Sequence, residues 1–138
     1  MKVRFLRIDY VEAIPRDLTE GVVYVSRRFR TASHLCCCGC GTKIVTPLRP
    51  TEFELVDEGG AVSLYPSVGN SNHPCQSHYW IRRSVVIEAE RMTPAAIQLG
   101  RNHDDALKAA YFSETQESWV SRAITWIGRT LKRLLGRR

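Results

Sequence analysis

The stretch His34-Leu35-Cys36-Cys37-Cys38-Gly39-Cys40-Gly41 holds four of the five cysteines of the chain, and the fifth is Cys75. A buried cysteine stabilises a core no more than another small apolar residue does, so packing does not account for this cluster. Thiolates on short, tightly turned backbone suit a tetrahedral metal ion, and the two glycines supply the turning freedom. The stretch therefore predicts a zinc site. Its ligands are the alternate thiols and the distant one, namely Cys36, Cys38, Cys40 and Cys75.

Disulfide bonds are the alternative use of these thiols. The cysteine count is odd, and the first nine residues contain no apolar run of the length found in a secretory signal. We therefore expect a cytoplasmic protein in a reducing compartment, where thiols stay free and bind metal. Cys37 has a predicted ligand on each side, so we expect its side chain to point away from the metal.

The length and the charge of the chain limit the classes of function. A chain of 138 residues is expected to form a domain with a modest core, which a bound metal would reinforce. Residues 1–118 carry 14 basic and 14 acidic side chains, whereas residues 119–138 carry six basic and no acidic ones. The net charge of +6 thus belongs to the C-terminal segment, and nucleic-acid binding by the domain is disfavoured.

Residues 1–92 are predicted to form a small zinc-binding β domain, mainly antiparallel, so that the whole chain is of the mainly β, α+β class. Alternation of apolar and charged residues predicts a first strand over residues 3–8. Two hairpins are predicted, one across residues 57–60 and one across residues 82–84. The turn-forming residues 66–74 predict a loop between them.

Residues 93–138 are predicted to form a helical extension that starts at Thr93-Pro94. Residues 113–116 match a capping box, which would open a separate last helix. That helix is too charged to span a bilayer. It either packs on the β domain or lies on an anionic membrane or a partner as a basic amphipathic helix. Its apolar positions recur at helical spacing: Trp119, Ala123, Trp126, Ile127, Leu131, Leu134 and Leu135.

Four thiol ligands would fill the zinc tetrahedron, so the zinc would be structural and other side chains would do the chemistry. Four polar residues near the cysteines are candidates: Ser67, Asn70, Ser77 and His78. Ser67 lies in a Pro-Ser turn that would expose its hydroxyl, and His78 could be the base that a serine nucleophile needs. Asn70 would orient the histidine or donate to an oxyanion. Ordinary turn formation is the alternative role of Ser67 and Asn70.

A second reading makes His78 a zinc ligand in place of a cysteine. The site would then be closed by three cysteines and a histidine, or would hold a catalytic zinc with bound water. A metallopeptidase also needs a carboxylate base, and the nearest ones, Glu52 and Glu54, lie outside both cysteine-containing loops. His34 and His73 flank these loops and are candidates for hydrogen bonds to the ligands.

Three motifs stand together between about residues 21 and 90: Cys36-Cys37-Cys38-Gly39-Cys40-Gly41, Pro66-Ser67-Val68-Gly69-Asn70 and Cys75-Gln76-Ser77-His78-Tyr79-Trp80-Ile81. They resemble a small zinc-binding family that occurs beside bacterial genes for a ubiquitin-like modifier and its E1-like and E2-like enzymes. The main departure from the family pattern is Cys37, where that family often has proline.

The resemblance implies a peptidase that trims the C-terminus of the modifier or removes the modifier from its targets. Carried over to this chain, it makes Ser67 the nucleophile and His78 the base, with the zinc as a scaffold. The implied partners are the modifier and its E1-like and E2-like enzymes. A zinc metallopeptidase with His78 as a ligand stays open as an alternative, as does a non-catalytic zinc module that binds the modifier or the E2-like enzyme.

Overall fold

The computed structural model describes the backbone of residues 1–135 and the side chains of residues 1–113, 115, 126 and 127. The described chain is mainly β, in agreement with the predicted class, and it divides into two compact units, Met1–Leu99 and Gly100–Arg138. The elements in chain order are β1 (Arg7–Tyr10), β2 (Val22–Ser26), β3 (Thr31–Leu35), β4 (Lys43–Pro47), β5 (Glu54–Glu58), β6 (Ala61–Gly69), β7 (His78–Arg82), β8 (Val85–Glu88) and α1 (Pro94–Leu135).

The strands form two four-stranded sheets, each with its strands in sequence order, β1 to β4 and β5 to β8. All neighbours are antiparallel except β1, which runs parallel to β2. The first strand begins later than predicted, at Arg7. Residues before it run along the second sheet instead, where Phe5 forms a bridge to Val85 and the Leu6 amide donates to the Ser84 carbonyl at 2.8 Å. The N-terminal segment therefore ties the two sheets together.

Both predicted hairpins are present. Gly59 and Gly60, with φ of 67° and 93°, form the turn between β5 and β6, where a left-handed backbone favours glycine. Arg83 and Ser84 form the turn between β7 and β8, and both have positive φ although they are not glycine. Ser84 is buried, and its hydroxyl accepts a hydrogen bond from the Val62 amide at 3.0 Å, which offsets part of the cost of that conformation.

The core of Met1–Leu99 contains side chains from both sheets and from the N-terminal segment. Leu6, Leu64 and Tyr79 are among its largest side chains, and all are at most 1% exposed. Cys36 and Cys37 belong to the same buried cluster. The cysteine-containing turn is therefore continuous with the apolar core, which fixes the position of that turn.

The C-terminal residues form one long helix, α1, which begins where the sequence predicts. Thr93 caps it, because its hydroxyl accepts a hydrogen bond from the Ala96 amide at 3.2 Å. The separate last helix predicted from residue 113 is wrong. Ser113 and Thr115 donate their hydroxyls to the carbonyls of Ala110 and Tyr111 and so continue the helix rather than cap a new one.

Two further findings concern α1. Within the described residues, no helix has the length and apolarity needed to cross a bilayer. Of the predicted apolar stripe, Trp126 and Ile127 are exposed, and the other side chains lie outside the described residues.

Truncating Leu64 should test the packing between the sheets. Leu64→Ala is expected to lower the free energy of unfolding by about 3 kcal/mol, because it removes buried methyl groups and leaves a cavity. Val45→Ala is the matched control, since Val45 is 57% exposed, and should change the stability by less than about 0.5 kcal/mol. Urea unfolding followed by tryptophan fluorescence measures both values, and equal losses would contradict the assigned core.

Candidate active site and metal centre

The first cysteine-containing segment follows β3 and turns back on itself. The Cys36 amide donates to the Thr42 carbonyl at 2.8 Å, and the Gly39 amide donates to the Cys36 carbonyl at 3.0 Å. Gly39 has a φ of 88°, and a Cβ there would lie 2.5 Å from the Lys2 side chain, so this position favours glycine. This tight turn brings together the sulfurs of Cys36, Cys38 and Cys40.

The fourth sulfur comes from the connection between β6 and β7. That connection is closed by hydrogen bonds from the Asn70 amide to the Ser77 carbonyl at 2.9 Å and from the Gln76 amide to the His73 carbonyl at 3.0 Å. The four sulfurs lie within 4.8 Å of one another, and they belong to Cys36, Cys38, Cys40 and Cys75. Tetrahedral bonds of about 2.3 Å separate two sulfurs by roughly 3.8 Å, so this group could hold a metal ion.

Hydrogen bonds and burial act in opposite directions on these thiols. The Thr42 hydroxyl, 3.2 Å from the Cys40 sulfur, lowers the pKa of Cys40 to about 6, and Ser77 lowers the pKa of Cys75 in the same way. Burial raises the pKa of Cys38 to about 12. A bound cation would stabilise such a group, because the positive charge of the cation favours the thiolate form and burial disfavours it.

Cys37 is the predicted bystander. Its side chain is fully buried within the apolar core and its sulfur lies outside the group of four. Burial raises the pKa of Cys37 to about 12, so the thiol stays protonated near neutral pH.

Ser67 lies in β6 and not in the loop predicted from residue 66. Leu64 pairs with Ile81 and Val68 pairs with Tyr79, so residues 65–67 of β6 face the single residue between those two on β7. Such a bulge re-aims a side chain, and it accommodates Pro66 because the ladder is interrupted there. The bulge is what turns the hydroxyl of Ser67 toward β7.

Ser67 and His78 form a hydrogen-bonded pair. The Ser67 Oγ lies 2.8 Å from His78 Nε2, and His78 Nδ1 lies 2.6 Å from the carbonyl oxygen of Glu90. A carbonyl oxygen only accepts, so Nδ1 carries the proton, and the lone pair of the neutral ring is on Nε2, facing the serine hydroxyl. Both side chains are half-buried. This arrangement allows the imidazole to take the hydroxyl proton.

The structure directs Asn70 toward the cysteines. Asn70 is buried, and its amide nitrogen donates to the Ser77 hydroxyl at 2.8 Å and lies 3.5 Å from the Cys36 sulfur. Ser77 in turn lies 3.1 Å from that sulfur. The hydrogen-bond partner of His78 Nδ1 is the backbone carbonyl of Glu90 instead of Asn70. Sequence reasoning missed Glu90, and nothing could have revealed it, because any residue type carries a backbone carbonyl.

The remaining histidines named from the sequence lie elsewhere. His34 is buried and shares a 2.8 Å hydrogen bond between its Nε2 and the Tyr79 hydroxyl. Burial lowers the pKa of His34 to about 4, so the ring is neutral at physiological pH. His73 contributes its carbonyl to the turn before Cys75. In the described residues, neither these histidines nor His78 nor a carboxylate joins the four sulfurs.

An open cleft of about 940 Å³ is lined by residues that neighbour Ser67 and His78 in β6 and β7. Tyr65 and Pro66, the two residues before Ser67, line it together with Trp80 of β7. Residues 48–50 and 52–55 also line it, so β5, an edge strand of the second sheet, borders the cleft. A polypeptide in an extended conformation could lie in such a cleft and pass Ser67.

Comparison with known proteins places this chain in a family. No curated protein and no solved structure matches the chain significantly. Residues 10–89 match the family model BubE, which is described as "bacterial ubiquitination-like system serine protease". The match contains the four cysteines of the group as well as Ser67 and His78, and it confirms the resemblance seen in the three motifs. Because it covers more than half of the chain, the protein belongs to the BubE family of serine proteases of bacterial ubiquitination-like systems.

Proposed function

We propose that this protein is a serine peptidase that trims the C-terminus of a bacterial ubiquitin-like modifier or removes the modifier from its targets. Ser67 is the nucleophile and His78 is the base. The observation that carries the proposal is the 2.8 Å contact between Ser67 Oγ and the lone-pair nitrogen of His78. The family description, a serine protease of a ubiquitination-like system, supports both the reaction and the class of substrate.

The reaction follows from the positions of the protons. As Ser67 Oγ attacks the scissile carbonyl carbon, its proton passes to His78 Nε2, and the acyl-enzyme forms when that proton moves on to the leaving nitrogen. A water molecule then gives a proton to Nε2 as its oxygen attacks the acyl carbon. The ester bond to Ser67 breaks, the Nε2 proton passes to Oγ, and the acyl product leaves as a carboxylic acid. Throughout, Nδ1 keeps its proton and donates it in a hydrogen bond to the Glu90 carbonyl. That hydrogen bond keeps the ring in the tautomer that can act as a base.

Asn70 contributes by position in this proposal. Its side chain ties the end of β6 to Ser77, which contacts the sulfur group, and to Cys36, which belongs to it.

The proposed zinc would be held by Cys36, Cys38, Cys40 and Cys75, a set of four soft sulfur donors that suits this metal. It would supply rigidity, because four thiolates leave no open position for water. His78 follows Cys75 by three residues, so a fixed Cys75 also fixes the start of β7.

The cleft beside Ser67 is the proposed site for the C-terminal tail of the modifier. An extended peptide can add to the edge of a sheet through backbone hydrogen bonds, and β5 is such an edge strand, so the tail would bind in an extended conformation. The E1-like and E2-like enzymes of the same system are further proposed partners, since they act on the same modifier.

The C-terminal part of α1 is proposed to contact an anionic membrane. Trp126 is 69% exposed and Ile127 is 50% exposed, in a segment with six basic and no acidic side chains. Exposed apolar residues among basic ones are typical of helices that lie on anionic lipid surfaces.

Replacing the nucleophile tests the reaction. Ser67→Ala should reduce cleavage of a modifier precursor with a C-terminal extension by at least about 10³-fold, because the group that forms the acyl-enzyme is lost. A fluorophosphonate probe should label the unmodified protein but not Ser67→Ala. Ser71→Ala, in the loop after β6, is the matched control and should cleave normally. Full cleavage by Ser67→Ala would exclude the serine mechanism, and cleavage that depends on the metal alone would favour a metallopeptidase.

Removing one sulfur tests the metal site. Cys75→Ser should lose the single equivalent of zinc that the purified protein is expected to carry, as measured by inductively coupled plasma mass spectrometry, and its melting temperature should fall. Cys37→Ala is the control and should keep the zinc, because its sulfur lies outside the group. Equal zinc content in Cys75→Ser and in the unmodified protein would remove Cys75 from the ligand set.

Vesicle binding tests the helix. The protein should sediment with vesicles that contain phosphatidylserine and not with vesicles of phosphatidylcholine alone, and high salt should release it. Trp126→Glu should weaken this retention severalfold. Leu99→Glu changes an equally exposed residue of the same helix outside the basic segment, and it should leave retention unchanged. Retention that is insensitive to Trp126→Glu would rule out this contact.

A further inference from the structure

The second sheet has an exposed apolar face on the side of His78. Along β7, Tyr79 and Ile81 are buried, whereas the alternate residues His78, Trp80 and Arg82 are half-exposed on the opposite face. Cross-strand pairing extends this face onto β8 and the N-terminal segment, where the neighbours of Trp80 and Arg82 are apolar. We call it the outer face and define it by six residues: Phe5, Tyr65, Trp80, Arg82, Val85 and Ile87.

Four of the apolar side chains of the outer face are well exposed to solvent. Phe5 is 62% exposed, Ile87 48%, Val85 46% and Tyr65 39%. Ile87 stands opposite Trp80, and Phe5 stands opposite Val85, so these side chains are neighbours and not scattered. A contiguous exposed apolar surface of this kind marks a binding site more often than a surface of isolated apolar residues does.

Arg82 gives the outer face one well-positioned charge. Its guanidinium carbon lies 3.9 Å from the centroid of the Tyr65 ring and 4.6 Å from that of the Trp80 ring, so both rings hold the group in place. Its one hydrogen bond within the described residues is a long one, from Nη1 to the Leu64 carbonyl at 3.4 Å.

The Arg82 guanidinium also has N–H donors that could bind a partner molecule. In the part of the chain that the structure describes, no carboxylate lies within 4.0 Å of the guanidinium. A guanidinium has five N–H donors in a fixed plane, and a carboxylate from another molecule can accept two of them at once. The ring contacts hold this group in one orientation before any partner arrives, which reduces the entropy lost when a carboxylate binds.

The outer face is continuous with the proposed active site. His78 belongs to the same side of β7, and the centroid of its ring lies 6.4 Å from that of Trp80. Tyr65 and Trp80 also line the cleft beside Ser67. A second copy of the chain bound to this face would block access to Ser67 and His78. A substrate bound there would instead lie next to these two residues. The occupant that fits is therefore a substrate, and a broad sheet face suits a folded protein surface better than an extended tail.

We infer that the outer face binds the folded body of the ubiquitin-like substrate while its C-terminal tail enters the cleft beside Ser67. The surface of the substrate that makes this contact is apolar and carries a carboxylate that pairs with Arg82. The inference rests on the proposed function, and it adds to it a recognition surface separate from the reacting groups.

Binding is measured without cleavage in a Ser67→Ala background. The probe is the ubiquitin-like modifier of the same bacterial system, purified in its unprocessed form, and isothermal titration calorimetry gives its Kd. Ile87→Asp should raise the Kd at least tenfold, because it places a charge in an apolar contact. Arg82→Gln should raise it by a similar factor, and Arg82→Lys should restore only part of the affinity, since an ammonium group cannot form the paired hydrogen bonds.

Val45→Asp is the matched control. Val45 is 57% exposed on β4, in the other sheet, so the same new charge is introduced away from the outer face. It should leave the Kd unchanged. Circular dichroism checks that all variants are folded, which their exposed positions favour.

Three results would overturn the inference. They are equal Kd values for all variants, no binding of the modifier to the Ser67→Ala protein, and a dimer in solution that Ile87→Asp converts to a monomer while modifier binding is unaffected. Fluorophosphonate labelling keeps this test apart from that of the reaction, because a small probe needs only Ser67 and His78. Binding that depends on Ile87 and Arg82 without labelling would discard the peptidase and leave the docking surface in place.

Discussion

The gathering of four sulfurs from two distant loops is the constraint on which the site depends. Without a cation, thiolates at this separation repel one another, and burial opposes the ionisation of Cys38, whose pKa it raises. A bound metal ion would remove both obstacles, and it would tie the turn after β3 to the segment that leads into β7. Because His78 is the first residue of β7, a bound ion would fix the end of the strand that carries the imidazole.

The proposed catalytic pair, Ser67 and His78, lies on one irregular strand and one regular strand. β7 keeps its ladder and holds His78 in register, while the bulge in β6 releases Ser67 from the ladder and aims it at the imidazole. The third group in this hydrogen-bonded series, after Ser67 and His78, is the backbone carbonyl of Glu90 and not a carboxylate. A neutral acceptor stabilises the imidazolium less than a carboxylate does, but it fixes the tautomer equally well.

Part of this arrangement was predictable from the sequence, and the rest was not, for physical reasons. The density of thiols predicted the sulfur group, and the paired glycines predicted the turn between β5 and β6. Pro66 is ambiguous, because proline suits a loop and a bulge equally, so the continuation of β6 through Ser67 was missed. Ser113 is ambiguous too, since its hydroxyl can cap a helix or bind back to one, and the second helix start was therefore wrong.

The carbonyl of Glu90 lies between β8 and α1, in a short connection whose position depends on both elements. The Ala89 amide donates to the His78 carbonyl at 2.9 Å, so this hydrogen bond sets where the chain after β8 separates from β7. Fraying of this strand end would remove the acceptor of the Nδ1 proton, and the proton could then move to Nε2. In the proposed mechanism, His78 would no longer act as a base, although neither Ser67 nor His78 had moved. In the proposed mechanism, the reactivity of Ser67 therefore depends on how firmly the Glu90 peptide group is held beside His78.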